Sequence, residues 1–260
     1  MVMTTANELQ VILEEITAKT PDGMAFLEKS REREKAYARS SVNRWLEIVQ
    51  IIEQAGPIKR CLDIGTSPLT FALTRWCEKV ETLDVTEYFE SRCQVSGIEL
   101  HVGGVNWKDE VLPDDSYDCI IFLEVIEHLR MNPEKVIAYL KRKLRPGGLL
   151  ILSTPNLMCF GNRLKMLFNM KLAHFHYPAF EREEGDVHGF GHDRVYTPAE
   201  MKDYFANTSW SSFQLGYHGI PVSDSLKSYS VGKKLAYAPV QLIKRLIPST
   251  RQLMLVVAKK

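Results

Sequence analysis

The sequence lacks any uninterrupted apolar stretch of the roughly 20 residues that a membrane-spanning helix needs. Its opening stretch, MVMTTANELQVILEEITAK, lacks the apolar core of a secretory leader. An excess of one charge is missing too. The 33 basic and 32 acidic residues leave a net charge of +1, which gives a general nucleic-acid binder no support, although a neutral total can hide a local patch. Paired cysteines are absent. Cys61, Cys77, Cys93, Cys119 and Cys159 are odd in number, widely spaced and form no C-x-x-C, so neither a disulfide framework nor structural zinc is expected. They read as small core residues in a reducing compartment. These absences lead us to expect a cytoplasmic protein.

What is present is an ordinary globular balance, 45% hydrophobic and 25% charged, in a length that suits one α/β domain with additions. Residues 7–55 read as helices: Leu9, Ile12, Leu13 and Ile16 recur at helical spacing, as do Trp45, Ile48, Val49 and Ile52. Gly56-Pro57 is a stop signal. The charge-dense EKSREREKAYARSS between them is either a solvated helix face or a lid over substrate.

From residue 58 short apolar runs alternate with helical stretches, the rhythm of β-α units on a parallel sheet. Candidate strands are Arg60–Ile64, Val80–Asp84, Glu99–Val102, Asp118–Leu123 and Leu149–Ser153, followed late by Phe213–Tyr217 and Leu253–Ala258. Candidate crossover helices start near Leu69, Glu87 and Pro133. Residues 156–195 break the rhythm with a long, aromatic, histidine-rich excursion suited to a lid or binding loop. Thr197-Pro198-Ala199-Glu200 then starts a helix with a capping box. The chain thus divides into an N-terminal helical segment, 1–56, and a domain over 57–260 with an insertion at about 156–195. Near the end, VGKKLAYAPVQLIKRLIPSTRQ is either an amphipathic helix packed on the sheet or a basic amphipathic surface for a membrane or lipid.

The most informative stretch is CLDIGTSPLTF, residues 61–71, a buried strand, a small-residue turn and a helix start. Ligands of open α/β sheets sit beside such turns, at the carboxyl ends of strands. Asp84 ends the next candidate strand, 21 residues after Asp63, a spacing that lets an acid accept hydrogen bonds from a ribose. A dinucleotide would want G-x-G-x-x-G in the turn. Here the run is Gly65-Thr66-Ser67-Pro68-Leu69-Thr70, with the later glycines missing and a proline that removes an amide. Asp63 beside the turn would repel phosphate and attract an ammonium or sulfonium. S-adenosylmethionine (SAM) carries both groups, so the charge favours it over a nicotinamide cofactor.

LDIGTSP resembles motif I of class I SAM-dependent methyltransferases, of the ubiquinone-pathway-like, type 11 group. LDVTEY resembles their strand-2 acid, LPDDSYDCIIFLEVIEHL their motif IV, and LRPGGLLILSTPN their strand-5 signature. The likeness runs over about residues 40–205. It implies a Rossmann-like, doubly wound, mostly parallel seven-stranded sheet, with N-terminal helices and an insertion after strand 5. It implies SAM as cofactor and S-adenosylhomocysteine as product. Asp63, Gly65, Thr66 and Ser67 would hold the amino-acid end, Asp84 the ribose, Asn106 would lie near the adenine, and Glu124 would floor the pocket. The family usually has a second glycine where Ser67 stands and often an Asp near Asn106.

Methyl transfer to a hydroxyl or amine profits from a group that takes the proton. His128, with Glu127 beside it, is the nearest candidate for that catalytic role. Glu124, Glu127 and His128 would share a face if the segment were helical, a plausible divalent-metal half-site. The same E-x-x-E-H resembles a motif of ubiquinone-pathway O-methyltransferases and of small-RNA 2′-O-methyltransferases, in which a further histidine follows the STPN strand. Here His188 or His192 would take that part. Helix capping is the plainer role for Glu127 and His128, and no metal ligand is assigned. His174, His176, His188 and His192 with Tyr177, Phe180, Phe190 and Tyr196 would line a substrate pocket or pack the insertion. The expected activity is methyl transfer to an O or N of a small-molecule, lipid or saccharide-type acceptor. The alternatives are a metal-assisted RNA 2′-O-methyltransferase and a non-catalytic SAM-binding subunit. Expected partners are a small-molecule acceptor, no nucleic acid, and a membrane surface if the C-terminal basic segment serves as one.

Overall fold

The computed structural model describes residues 3–18, 27–105, 111–172, 192–218 and 231–260. By chain order the elements are α1 (Ala6–Ala18), α2 (Leu27–Ala55), β1 (Ile58–Ile64), α3 (Pro68–Ala72), β2 (Cys77–Asp84), α4 (Glu90–Val95), β3 (Glu99–Val102), β4 (Tyr117–Leu123), α5 (Pro133–Lys143), β5 (Leu144–Pro155), α6 (Phe160–Leu167), α7 (Pro198–Asn207), β6 (Ser212–His218), α8 (Val231–Leu246) and β7 (Leu253–Lys259). Short 3-10 turns cover Leu73–Arg75, Ile126–His128 and Pro248–Thr250.

The strands form one seven-stranded sheet in the order β3-β2-β1-β4-β5-β7-β6. β1 pairs in parallel with β2 and β4, and β2 with β3. At one end of β5 the Gly147 amide donates to Lys260 O and the Lys260 amide to Gly148 O; at the other, the Asn156 amide donates to Gln252 O. β7 therefore runs antiparallel to β5. Strand order reverses between β1 and β4, the switch point at which such sheets bind ligands.

All seven expected strands are present; β3 spans the expected Glu99–Val102, β5 runs well beyond its expected range to Leu144–Pro155, and the others are longer by one to three residues. The central strand β4 explains its own sequence: Tyr117, Cys119, Ile120, Ile121 and Phe122 are all fully buried, as a strand covered on both faces requires. Asp118 anchors its start, accepting the amides of Lys59 at 2.8 Å and Arg60 at 2.7 Å and pairing with Arg145.

The chain forms two compact units, one of Met1–Phe122, Ala138–Ile151 and Ala258–Lys260, the other of Leu123–Ile137 and Leu152–Val257. In the first, α1 begins with a reciprocal cap between Thr5 and Glu8. Leu9 and Leu13 of α1 are buried, as are Trp45, Ile48, Val49 and Ile52 of α2, and both helices pack on α3. The five cysteines are buried and unpaired. Glu81 of β2, fully buried, gathers Arg60, Lys79, His101 and Tyr117 around its carboxylate. In the second unit, α7 starts as its sequence indicates, with Thr197 N donating to Glu200 Oε2 at 2.8 Å and Glu200 N to Thr197 Oγ1 at 3.2 Å.

Candidate functional site

β1 ends on buried Leu62, Asp63 and Ile64, and the small residues Gly65, Thr66 and Ser67 then turn the chain sharply into α3. Gly65 makes that turn at φ +87°, a left-handed conformation that costs other residues strain, and its amide donates to Leu83 O at 3.0 Å. Ser67 follows at φ −143°, ψ 173°, ahead of Pro68 in the first helical position. That extended backbone asks for no glycine, so serine serves there. The Ser67 amide donates to Thr70 Oγ1 at 2.8 Å.

Two acids flank the turn. Asp63 is 2% exposed, and its Oδ2 accepts from Thr70 Oγ1 at 2.5 Å. Burial pushes its carboxyl up to about 7; the Thr70 bond and the Ile64 amide pull down, and the charge of Asp84 pushes further up. Asp84, at the end of β2, accepts the Thr66 amide at 2.9 Å on Oδ2 and the Thr86 amide at 3.1 Å on Oδ1. Thr66 also pairs its hydroxyl with Thr82 Oγ1 at 3.0 Å, and Thr82 Oγ1 donates to Asp63 O at 3.0 Å. The turn is thus laced to β2 by hydroxyls and carboxylates. Each Asp84 oxygen keeps a further lone pair for a ligand hydroxyl. Asp63, Gly65, Thr66, Ser67 and Asp84 come together as the sequence indicates. Thr70 and Thr82 were missed, although a hydroxyl inside the apolar run PLTFA was a visible signal. Asn106 lies outside the described residues.

In the second unit, Glu124 leaves β4 at φ +55°, a strained conformation for a residue with a side chain. Its amide donates to Ser153 O at 2.9 Å, and Ser153 Oγ donates back to Glu124 Oε1 at 2.7 Å. The E-x-x-E-H segment is not the helix that would align Glu124 with Glu127 and His128. Only Ile126–His128 form a 3-10 turn, and left-handed Glu124 precedes it. Glu127 is fully buried and accepts from Thr154 Oγ1 at 3.0 Å. Its backbone carbonyl accepts the amides of Asp193 at 2.8 Å and Arg194 at 3.1 Å. Those bonds carry His192 to His128, their ring centroids 4.9 Å apart at 74°. Ligand atoms of Glu127, His128 and His192 all lie within 4.8 Å of one another. Among the described residues, His192 is the histidine that joins the pair. His188 lies outside the described residues, as do His174, His176, Tyr177, Phe180 and Phe190. Tyr196 is 1% exposed and its hydroxyl donates to Ile126 O at 3.3 Å, so it braces the turn instead of walling an open pocket.

Residues 18–211 match the family model described as a methyltransferase domain. No curated protein matches the chain in sequence. Among solved structures, a SAM-dependent methyltransferase from Archaeoglobus fulgidus is 15% identical with a TM-score of 0.53, over 90% of this chain and 98% of that one. The YcgJ protein from Bacillus subtilis is 16% identical with a TM-score of 0.52, over 81% and 96%. Phosphoethanolamine N-methyltransferase 2 from Haemonchus contortus, solved with S-adenosyl-L-methionine, is 13% identical with a TM-score of 0.50, over 98% of this chain and 57% of that one. At such identities the likeness is one of fold; the family match covers most of the chain, and on it the chain belongs to the methyltransferase domain family as a class I, SAM-dependent member.

Proposed function

We propose that the chain moves a methyl group from SAM to an oxygen or nitrogen of a small-molecule, lipid or saccharide-type acceptor. The observation that carries the cofactor side is the pair of acids on the β1 turn. Asp63 is buried beside Asp84 with its carboxyl pushed up to about 7, an arrangement that a neighbouring positive charge relieves. An ammonium and a sulfonium supply it, and a pyrophosphate does not. In this reading Asp63, Gly65, Thr66 and Ser67 meet the amino-acid end and Asp84 meets the ribose hydroxyls. Asn106 and Glu124 are assigned to the adenine side and the pocket floor. SAM, when bound, supplies an electrophilic methyl group for in-line attack. The protein contributes alignment and a place for the acceptor's proton. We assign proton uptake to exposed His128, held by the turn around Glu127.

One observation favours a second reading. Glu127, His128 and His192 are the kind of mixed carboxylate and imidazole set that takes manganese, iron or zinc. A cation held there would polarise an acceptor hydroxyl, as a metal-assisted RNA 2′-O-methyltransferase requires. Radiolabelled methyl transfer from SAM, run with and without EDTA on phenols, amines, glycolipids and short RNAs, tests both. EDTA-resistant transfer to a small acceptor supports the first reading, EDTA-sensitive transfer to RNA the second. Transfer to none of these acceptors by a SAM-binding chain would contradict both.

A further inference from the structure

Two segments of the second unit leave large apolar side chains exposed. Leu164, Met166, Leu167, Phe168 and Met170 lie on α6 and the three residues after it, and they are 40–75% exposed. Leu242, Leu246 and Ile247 lie at the end of α8 and just beyond, 48–72% exposed. These are eight of the fifteen large apolar residues exposed among the described residues. The two segments meet at one point in the fold. Arg163 of α6 donates to Ser249 O at 3.3 Å and Ser249 Oγ at 3.1 Å. Ser249 lies in the 3-10 turn that packs on α8, and Arg251 Nε donates to Lys244 O at 3.2 Å.

Charge in these segments is one-sided although the chain as a whole is balanced. Residues 160–172 contain Arg163, Lys165 and Lys171 and no acid. Residues 242–251 contain Lys244, Arg245 and Arg251 and no acid. Phe168 and Leu246, about two-thirds or more exposed, therefore lie in segments whose charged residues are all basic. Exposed leucine and phenylalanine in segments charged only by lysine and arginine is the composition of an element that lies in a bilayer interface. The basic residues meet anionic headgroups while the apolar side chains enter the acyl boundary. No described helix is long and apolar enough to cross a membrane, so such contact would be peripheral.

We propose that this α6–α8 surface docks the protein on an anionic phospholipid membrane. The proposal stands apart from the acceptor's identity, since it concerns a surface and not the cofactor turn. The test is co-sedimentation of the full chain with vesicles of pure phosphatidylcholine and of phosphatidylcholine with one-third phosphatidylglycerol. The wild type should sediment with the anionic vesicles and be released by 0.5 M salt. Phe168→Ser with Leu246→Ser should lower the bound fraction at least fivefold, while S-adenosylhomocysteine affinity stays within twofold. Both sites are exposed, so the double variant should keep its fold. Failure to sediment with anionic vesicles, or equal sedimentation of the variant, would overturn the proposal. So would a concentration-dependent dimer, seen without lipid and abolished by the same substitutions, because a second copy would then cover the face.

Discussion

Thr70 donates its hydroxyl to the buried carboxylate of Asp63 at 2.5 Å and accepts the amide of Ser67 at 2.8 Å. One side chain thus ties the end of β1 to the first turn of α3. Thr70→Val removes both bonds while keeping the volume. The expected loss is about 2 kcal/mol at pH 8, where Asp63 is charged. It should be smaller at pH 5, where Asp63 holds its proton. Urea unfolding at the two pH values checks this, and an equal loss at both would count against a charged Asp63 behind the bond.

The raised carboxyl of Asp63 fixes a sign. Its folded value is about 7, against about 3.9 in an unfolded chain. Between those values the folded chain holds a proton that the unfolded one has released. The contribution is fully present below about pH 4 and is lost as pH rises through 7. Asp63→Asn should therefore flatten the stability profile between pH 4 and 7 and make the ligand-free protein more stable at pH 8. Parallel wild-type and variant profiles would rule out this account of the residue.

Glu81 titrates in the opposite sense. Burial alone would raise its carboxyl, but hydrogen bonds from His101, Arg60, Lys79 and Tyr117 outweigh it and hold the group well below the carboxylate range. Its stabilisation is present above the unfolded value near 4.3 and is lost as pH falls through the lower folded value. Glu81→Gln should cost about 2 kcal/mol at pH 7 without changing cofactor affinity. Thermal unfolding with calorimetric titration separates the two effects.

His128 and His192 share one cluster, and their variants divide the two readings of it. His128→Ala should lower turnover more than tenfold while S-adenosylhomocysteine affinity stays within twofold. His192→Ala should match that loss only if the cluster holds a metal, and then manganese binding, measured by electron paramagnetic resonance, should vanish with it. Full turnover in His128→Ala would return both residues to a structural role.

The fold was legible because short apolar runs in β1, β4 and β5 alternate with helical stretches, and burial is what a sequence writes most plainly. The turn was legible because Asp63, Gly65 and Asp84 each do something few residues can. Local geometry was less visible. E-x-x-E-H reads as helix, yet the chain leaves β4 with Glu124 left-handed and held by Ser153. That departure depends on a strand nearly thirty residues away and leaves no mark on the segment itself. The place of His192 was not legible for the same reason: the bonds from Asp193 and Arg194 to Glu127 O that bring it in are made by backbone amides.

The central claim concerns a cationic nucleoside held by acids at the ends of β1 and β2. Calorimetric titration of the wild type and Asp84→Ala with SAM tests it directly. The account requires one site per wild-type chain and loss of measurable binding in Asp84→Ala, with the variant's unfolding transition still cooperative. A wild type that binds nothing, or a variant that binds as tightly as the wild type, would contradict it.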